Sequence, residues 1–198
     1  MNLTCHRAKN LSYAIIDDFF TEKELEAVTQ EVKDLQRFFL PASKTRTAKE
    51  SEGERLKTGK GVFLDNLYVN NRTASAILQA NRKVFSPEVV EYAQNFDVIF
   101  KEISQSNSDH TLLNCYISGQ EYRPHADTSR LSVVTFLREG DFSGGEFFFP
   151  EQEEVIPCIH NRAVLFPGCV THAALPIKGQ GRRISLAHFI NLKGDDRH

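Results

Sequence analysis

Three things are scarce in this chain, and each scarcity excludes something. Cys5, Cys115, Cys158 and Cys169 stand far apart with no C-x-x-C pair among them, so neither a zinc ribbon nor a disulfide scaffold is indicated. Separate thiols fit a reducing compartment. No apolar run approaches the length needed to cross a bilayer, and the opening M-N-L-T-C-H-R-A-K-N lacks the apolar centre of a secretory leader. A cytoplasmic protein is the expectation. Charge of one sign is also missing, because 24 basic residues against 26 acidic leave a net charge of −2. There is no strong pull toward nucleic acid and none toward a membrane. With 40% hydrophobic and 25% charged residues over 198 positions, the composition is that of one globular domain, 1–198.

The first half reads as support. Leu11–Ile16 is a short strand candidate, and Thr21 opens T-E-K-E, a capping box in which Thr21 and Glu24 satisfy backbone donors. Behind it Leu25, Val28, Val32, Leu35 and Phe39 recur at helical spacing, a stripe that belongs to a core. Residues 41–60 carry Lys44, Arg46, Lys49, Arg55, Lys57 and Lys60 against Glu50, Glu52 and Glu54 and almost no apolar side chain. That stretch is either a solvated loop or a lid. Val62–Val69 reads as a strand, 71–83 as a helix, and Ser86-Pro87 as the cap and first turn of another. The second helix carries Val89, Ala93, Phe96, Phe100 and Ile103 as its stripe.

From His110 onward short strands separated by Gly and Pro turns argue for a β-sandwich or barrel. Within it, Tyr116 to Asp127 ends in His125-Ala126-Asp127, and strand alternation sends residues two apart to one face. A second histidine, His172, follows 45 residues on, after another apolar run. If the two segments are neighbours, two imidazoles and a carboxylate share one side of a metal and leave the other side open. Such a set suits non-haem Fe(II) that activates O₂. Farther along, Arg183, Ser185, Ala187 and Phe189 alternate to one face of a strand, making a pocket with a guanidinium floor that matches a carboxylate. Arg182 is the competitor for that floor, but parity would then turn Ile184 and Leu186 into the pocket.

Taken together, these residues resemble the Fe(II)- and 2-oxoglutarate-dependent dioxygenases, and among them the prolyl-hydroxylase-like group. The resemblance covers roughly residues 110–192. Its elements are Y-I-S-G with Tyr122 behind it, His125-Ala126-Asp127, the strand Arg130–Leu137, G-G-E-F-F-F-P at Gly144–Pro150, Pro157–Phe166, His172 before Pro176, and G-R-R-I-S-L at Gly181–Leu186. It implies a mostly β fold with N-terminal helices (α+β): a double-stranded β-helix, or jelly-roll, of cupin-like form over 110–192, braced by 1–109. It implies Fe(II) held by His125, Asp127 and His172, with 2-oxoglutarate anchored by Arg183 and touched by Tyr116. Phe136 stands where many relatives carry a second tyrosine, so Ser132 or Ser185 is expected to supply the missing contact. Tyr122 and Arg130 are expected at the substrate mouth.

The implied reaction consumes O₂, with ascorbate as the accompanying reductant, and splits 2-oxoglutarate into succinate and CO₂ while hydroxylating a C–H bond. A prolyl residue in a peptide or protein is the first substrate class; a free amino acid or other small molecule is the second. Two readings of other kinds stand beside these: a non-catalytic sensor that binds metal and 2-oxoglutarate, and a zinc hydrolase on the same three ligands.

Overall fold

The structure is a computed structural model that describes residues 1–45, 50–51 and 54–192. It opens with β1 (Asn2–Ala8) and β2 (Leu11–Asp17), paired antiparallel about a turn in which Lys9 takes a φ of 53°. β1 lies at a sheet edge and is mostly half-exposed, so its residues carry no apolar alternation for the sequence reading to catch. Thr21 then caps α1 (Glu22–Leu35): its hydroxyl accepts from the Glu24 N–H, and the Glu24 carboxylate accepts from the Thr21 N–H. Val28, Val32 and Leu35 form the buried stripe, while Phe39 lies beyond the helix end.

Next come the short β3 (Leu40–Pro41), β4 (Glu50–Ser51) and β5 (Glu54–Arg55), then β6 (Lys60–Phe63) and α2 (Leu64–Leu67). The strand expected at Val62–Val69 thus stops at Phe63. Asp65 and Asn66 disfavour extension, and a helical turn lets the Asp65 carboxylate accept from the Thr111 N–H at 2.7 Å. Within the 41–60 stretch, residues 46–49 and 52–53 lie outside the described residues. Its last part is no solvated loop, since the Arg123 N–H donates to the Leu56 carbonyl, the Thr58 N–H donates to the Glu121 carbonyl, and Lys57 bridges Tyr122.

The helix expected over 71–83 is divided. A 3₁₀ turn at Arg72–Ala74 precedes α3 (Ala76–Asn81), because the Ser75 hydroxyl accepts from the Leu78 N–H and starts a new helix there. α4 (Pro87–Phe96) begins at the Ser86 cap, and α5 (Lys101–Gln105) closes the first half. The expected stripe is therefore spread over α4, a 3₁₀ turn and α5: Val89, Ala93, Phe100 and Ile103 are buried, while Phe96 is 37% exposed.

The second half is nearly all strand: β7 (Ser108–Tyr116), β8 (Tyr122–His125), β9 (Leu131–Glu139), β10 (Phe142–Gly144) and β11 (Phe147–Phe149). It continues with β12 (Glu154–Ile156), β13 (Arg162–Pro167), β14 (His172–Ala174), β15 (Ile177–Gly179) and β16 (Arg182–Asn191). Antiparallel pairing sorts them into a large sheet of order β1-β2-β13-β9-β16-β7-β6-β3, a small sheet β12-β11-β14-β8, and the pair β10–β15. This is the jelly-roll braced by helices that the sequence leads one to expect.

Two cores follow from strand parity. Ile184, Leu186 and Ile190 of β16 face the helices and pack with Val28, Ile77 and Val89. Between the sheets, Phe136, Phe147, Phe149 and Phe166 form an aromatic layer. The large sheet is thus held from both sides, and its inner face is a rigid platform for side chains that do not pack.

An ion pair ties β2 to β13, with Arg162 donating to Asp17 Oδ1 at 2.6 Å and Oδ2 at 2.9 Å. The hydrogen bond from Arg162 holds the Asp17 carboxyl below its ordinary value of 3.8. A lowered folded-state pKa contributes stability that is present above the unfolded value and disappears as pH falls through the folded one. Asp17→Asn is therefore expected to cost about 0.5–1 kcal/mol at pH 7, discounted because 38% of the Asp17 side chain is exposed. Chemical denaturation at several pH values checks this: the gap between variant and parent should narrow below pH 3.8, and a gap independent of pH would contradict it.

Candidate active site

β8 and β14 pair so that His125 faces His172 directly across the ladder. Their ring centroids are 4.3 Å apart. Each Nδ1 lies against a backbone carbonyl two residues back, His125 on Arg123 at 2.8 Å and His172 on Val170 at 2.9 Å. A carbonyl only accepts, so Nδ1 carries the proton and Nε2 is left as a lone-pair donor pointing inward. Both Nε2 atoms point at Asp127, from 3.9 Å to Oδ1 and 3.6 Å to Oδ2. The three donor atoms all lie within 4.8 Å of one another.

Asp127 reaches this position by a different route from strand alternation. β8 ends at His125, and Asp127 sits past the bend, its N–H donating to the Gly168 carbonyl at 2.8 Å. Ser132 then fixes the carboxylate, its hydroxyl donating to Oδ2 at 2.6 Å while Ser129 joins it at 2.7 Å. Gly168 makes the approach feasible: a Cβ there would lie 2.3 Å from the Ser129 carbonyl oxygen. Ser132, expected beside the cosubstrate, is thus a positioning contact for Asp127. The reason is its place near the start of β9, next to the bend rather than on the cavity wall.

Aromatic rings enclose the histidines. Tyr122 lies flat on His125 with centroids 3.4 Å apart, and Phe147 and Phe166 pack on His172. His172 is 3% exposed and His125 9%. Such burial keeps water away from all but one side of the donor set, and that side opens onto a cavity.

Arg183, Ser185, Ala187 and Phe189 all line this cavity from β16, as their alternation predicts. Arg183 is 2% exposed, its guanidinium carbon stands 4.3 Å over the Tyr116 ring, and its Nη1 donates to the Gly145 carbonyl at 3.0 Å. Gly145, at a φ of +76°, leaves room for this, since a Cβ would come within 2.6 Å of Ile177 and 3.4 Å of the arginine. Arg183 Nε is buried with no hydrogen-bond partner. A buried, unmet N–H on a guanidinium facing a cavity fits an anionic guest. Arg182 turns outward to Glu139 at 2.5 Å. Arg130, expected at the substrate mouth, instead pairs with Glu102 at 2.7 Å and does not line the cavity, because the bend after Asp127 carries it to the helical side.

Tyr116 and Tyr122 line the cavity as phenols. Burial pushes the Tyr116 hydroxyl up to about 12 and raises that of Tyr122 as well. Both remain hydrogen-bond donors at neutral pH. Phe136 also faces the cavity and brings no donor.

Two polar lining residues escape the sequence reading. Asn114 sits mid-strand among apolar neighbours, and Lys57 reaches in from the basic stretch, donating to Asn114 Oδ1 at 2.6 Å. Lys57 is 1% exposed, and burial pushes its ammonium down to about 7. Nothing local in the sequence marks it; the fold brings this segment so close to β7 that a Cβ on Gly59 would meet the Tyr116 ring at 2.7 Å.

Comparison with known proteins matches this half of the chain. Residues 111–191 fit the sequence model of the 2OG-Fe(II) oxygenase superfamily. Among solved structures, a prolyl-4-hydroxylase of Pseudomonas putida superposes with a TM-score of 0.59 at 18% identity, over 92% of this chain and 93% of that one. A prolyl hydroxylase of Trichoplax adhaerens, in complex with a peptide of the hypoxia inducible factor oxygen degradation domain, gives 0.59 at 19% identity over 89% and 83%. The viral collagen prolyl hydroxylase of Paramecium Bursaria Chlorella virus-1, in complex with 2OG, gives 0.58 at 15% over 91% and 96%. No curated protein matches the chain.

The Ser132 contact yields a test. Ser132→Ala should weaken divalent-metal affinity by roughly 10- to 100-fold, the usual cost of losing an outer contact to a ligand, with the fold intact by circular dichroism. Titration with Mn(II) followed by electron paramagnetic resonance measures it; an affinity unchanged within twofold would show that Asp127 is held without Ser132.

Proposed function

We propose that this chain, a 2OG-Fe(II) oxygenase with a prolyl-hydroxylase-like fold, uses Fe(II), 2-oxoglutarate and O₂ to hydroxylate a C–H bond, most directly that of a prolyl residue in a peptide or protein. The observation that carries the reading is one cavity with two different ends. At one end are three neutral or anionic donors, His125, Asp127 and His172; at the other is a buried guanidinium with an unmet N–H, Arg183. A zinc hydrolase on the same ligands has no use for the second end, and a general base beside the ligands is what it would need instead.

When bound, iron and 2-oxoglutarate together supply the activation of O₂ and the removal of hydrogen from carbon. Everything else falls to the side chains. His125 and His172 present fixed lone pairs because their Nδ1 protons are spent on backbone carbonyls. Asp127 contributes one negative charge, which lowers the cost of holding a dication away from water. Arg183 orients the diacid by a fork, Tyr116 backs that fork, and Ser185 lines the path between. Tyr122, Phe147 and Phe166 exclude water, so an oxidant made there meets substrate first. No side chain in this account acts as an acid or a base. Ascorbate, as the accompanying reductant, belongs to the same proposal.

The prolyl assignment is supported by the three structural neighbours, each named a prolyl hydroxylase. Peptide-dependent release of succinate is the test. With Fe(II), 2-oxoglutarate and ascorbate, a peptide library containing proline should raise succinate release over the same library without it. His172→Ala and Arg183→Ala should each lower that release by at least about 100-fold, beyond the cost of an outer contact, and chelation of the metal should abolish it. Equal stimulation by both libraries would remove the prolyl assignment while leaving the oxygenase; activity unchanged in Arg183→Ala would remove the oxygenase.

A further inference from the structure

The cavity contains a second buried cation that the barrel itself does not supply. Lys57 lies outside the ten strands of the second half and enters beside β8, where its backbone bridges Tyr122. Its Nζ is 5.4 Å from the centroid of the Tyr122 ring, the same ring that lies flat on His125. Its acceptor, Asn114, stands opposite Ser185 in the register of β7 and β16, one inward-facing rung from the Tyr116–Arg183 pair. The ammonium therefore sits part-way along the cavity. Its neighbour Tyr122 stacks on His125, and His125 and Asp127 line the same cavity, so the metal face is the end it adjoins.

Charge completes the argument. Among the described residues lining the cavity Asp127 is the one acid, and that carboxylate is committed to the metal face and to Ser132. An ammonium and a guanidinium on the wall of one cavity, the guanidinium with an unmet N–H, suit an anionic guest. 2-Oxoglutarate is a dianion, and Arg183 meets one of its two ends. Phe136 offers no donor on its side of the cavity, so polar contacts beyond Arg183 fall to Tyr116, Tyr122, Asn114, Ser185 and Lys57.

We propose that Lys57 is a second anchor for the cosubstrate, binding its 2-oxo acid end from beside the metal face while Arg183 binds the distal carboxylate. This rests on the reading of the site as a 2-oxoglutarate oxygenase. It makes the segment Leu56–Gly59, pinned to β8 by its backbone, part of the cosubstrate site rather than a cover over it. Selectivity for the oxo acid and for the diacid are then divided between two residues.

Two ligands separate the roles: 2-oxoglutarate, and 2-oxobutyrate, which keeps the oxo acid end and lacks the distal carboxylate. Both are titrated anaerobically into the Fe(II)-loaded protein and into Lys57→Met, Lys57→Gln and Arg183→Met, with the visible charge-transfer band as readout. Lys57→Gln keeps a polar chain, so a folding failure of Lys57→Met leaves the test standing. Both Lys57 variants should weaken both ligands by about tenfold or more, the loss expected for a charge-assisted hydrogen bond, whereas Arg183→Met should weaken 2-oxoglutarate alone. A Lys57 effect below twofold on both ligands, or one confined to 2-oxoglutarate, overturns the proposal. If the parent protein binds neither ligand, the oxygenase reading fails, and the proposal falls with it.

Discussion

The pairing of β8 with β14 is the constraint on which the site depends. It sets His125 opposite His172, and the backbone carbonyls at Arg123 and Val170 then orient both rings. Slip one of these strands by one residue and its imidazole turns to the other face of the sheet, away from its partner. Neither strand is long, so the register is held from outside: by β11 against β14, by the Tyr122 ring on His125, and by the phenylalanines around His172. Asp127 is a separate problem with a separate solution, a bend tied down by Gly168 and a short serine relay.

Burial of charge is the second theme. Arg183 on the inner face of the large sheet and Lys57 entering beside β8 are both held almost wholly out of water, in a barrel otherwise filled with aromatic rings. Helices packed on the opposite face keep that sheet from relaxing around them. Holding such groups out of water costs stability that a purely apolar core would keep, and it leaves the unmet N–H of Arg183 on the cavity wall for an anionic guest.

Much of this was legible in the sequence, and the reasons are local. The capping box at Thr21, the proline at the start of α4 and the parity of β16 are properties of neighbouring residues, and each is found where periodicity puts it. Arg183 and Arg182 could be told apart because strand parity left Ile184 and Leu186 only one side to go. What was not legible depends on distant partners. The end of β6 at Phe63 is decided by a hydrogen bond from Thr111 to Asp65, and the break at Ser75 by Glu31 of α1, which accepts from the Ser75 hydroxyl and the Ile77 N–H. Ser132 and Arg130 lie on the right segment, but the bend past Asp127 decides what each can reach. Lys57 was hidden in a basic stretch whose composition resembles solvent-exposed chain; its burial and its hydrogen bond to Asn114, far off in sequence, show that it points inward.

The central claim is geometric: one metal between His125, Asp127 and His172, with a diacid running from it to Arg183. Anomalous diffraction at the iron edge, from crystals grown anaerobically with Fe(II) and 2-oxoglutarate, tests it most directly. The account predicts a single strong anomalous peak among those three side chains, with connected density reaching the Arg183 guanidinium. A peak at any other site, or density for the diacid that leaves Arg183 untouched, would contradict it.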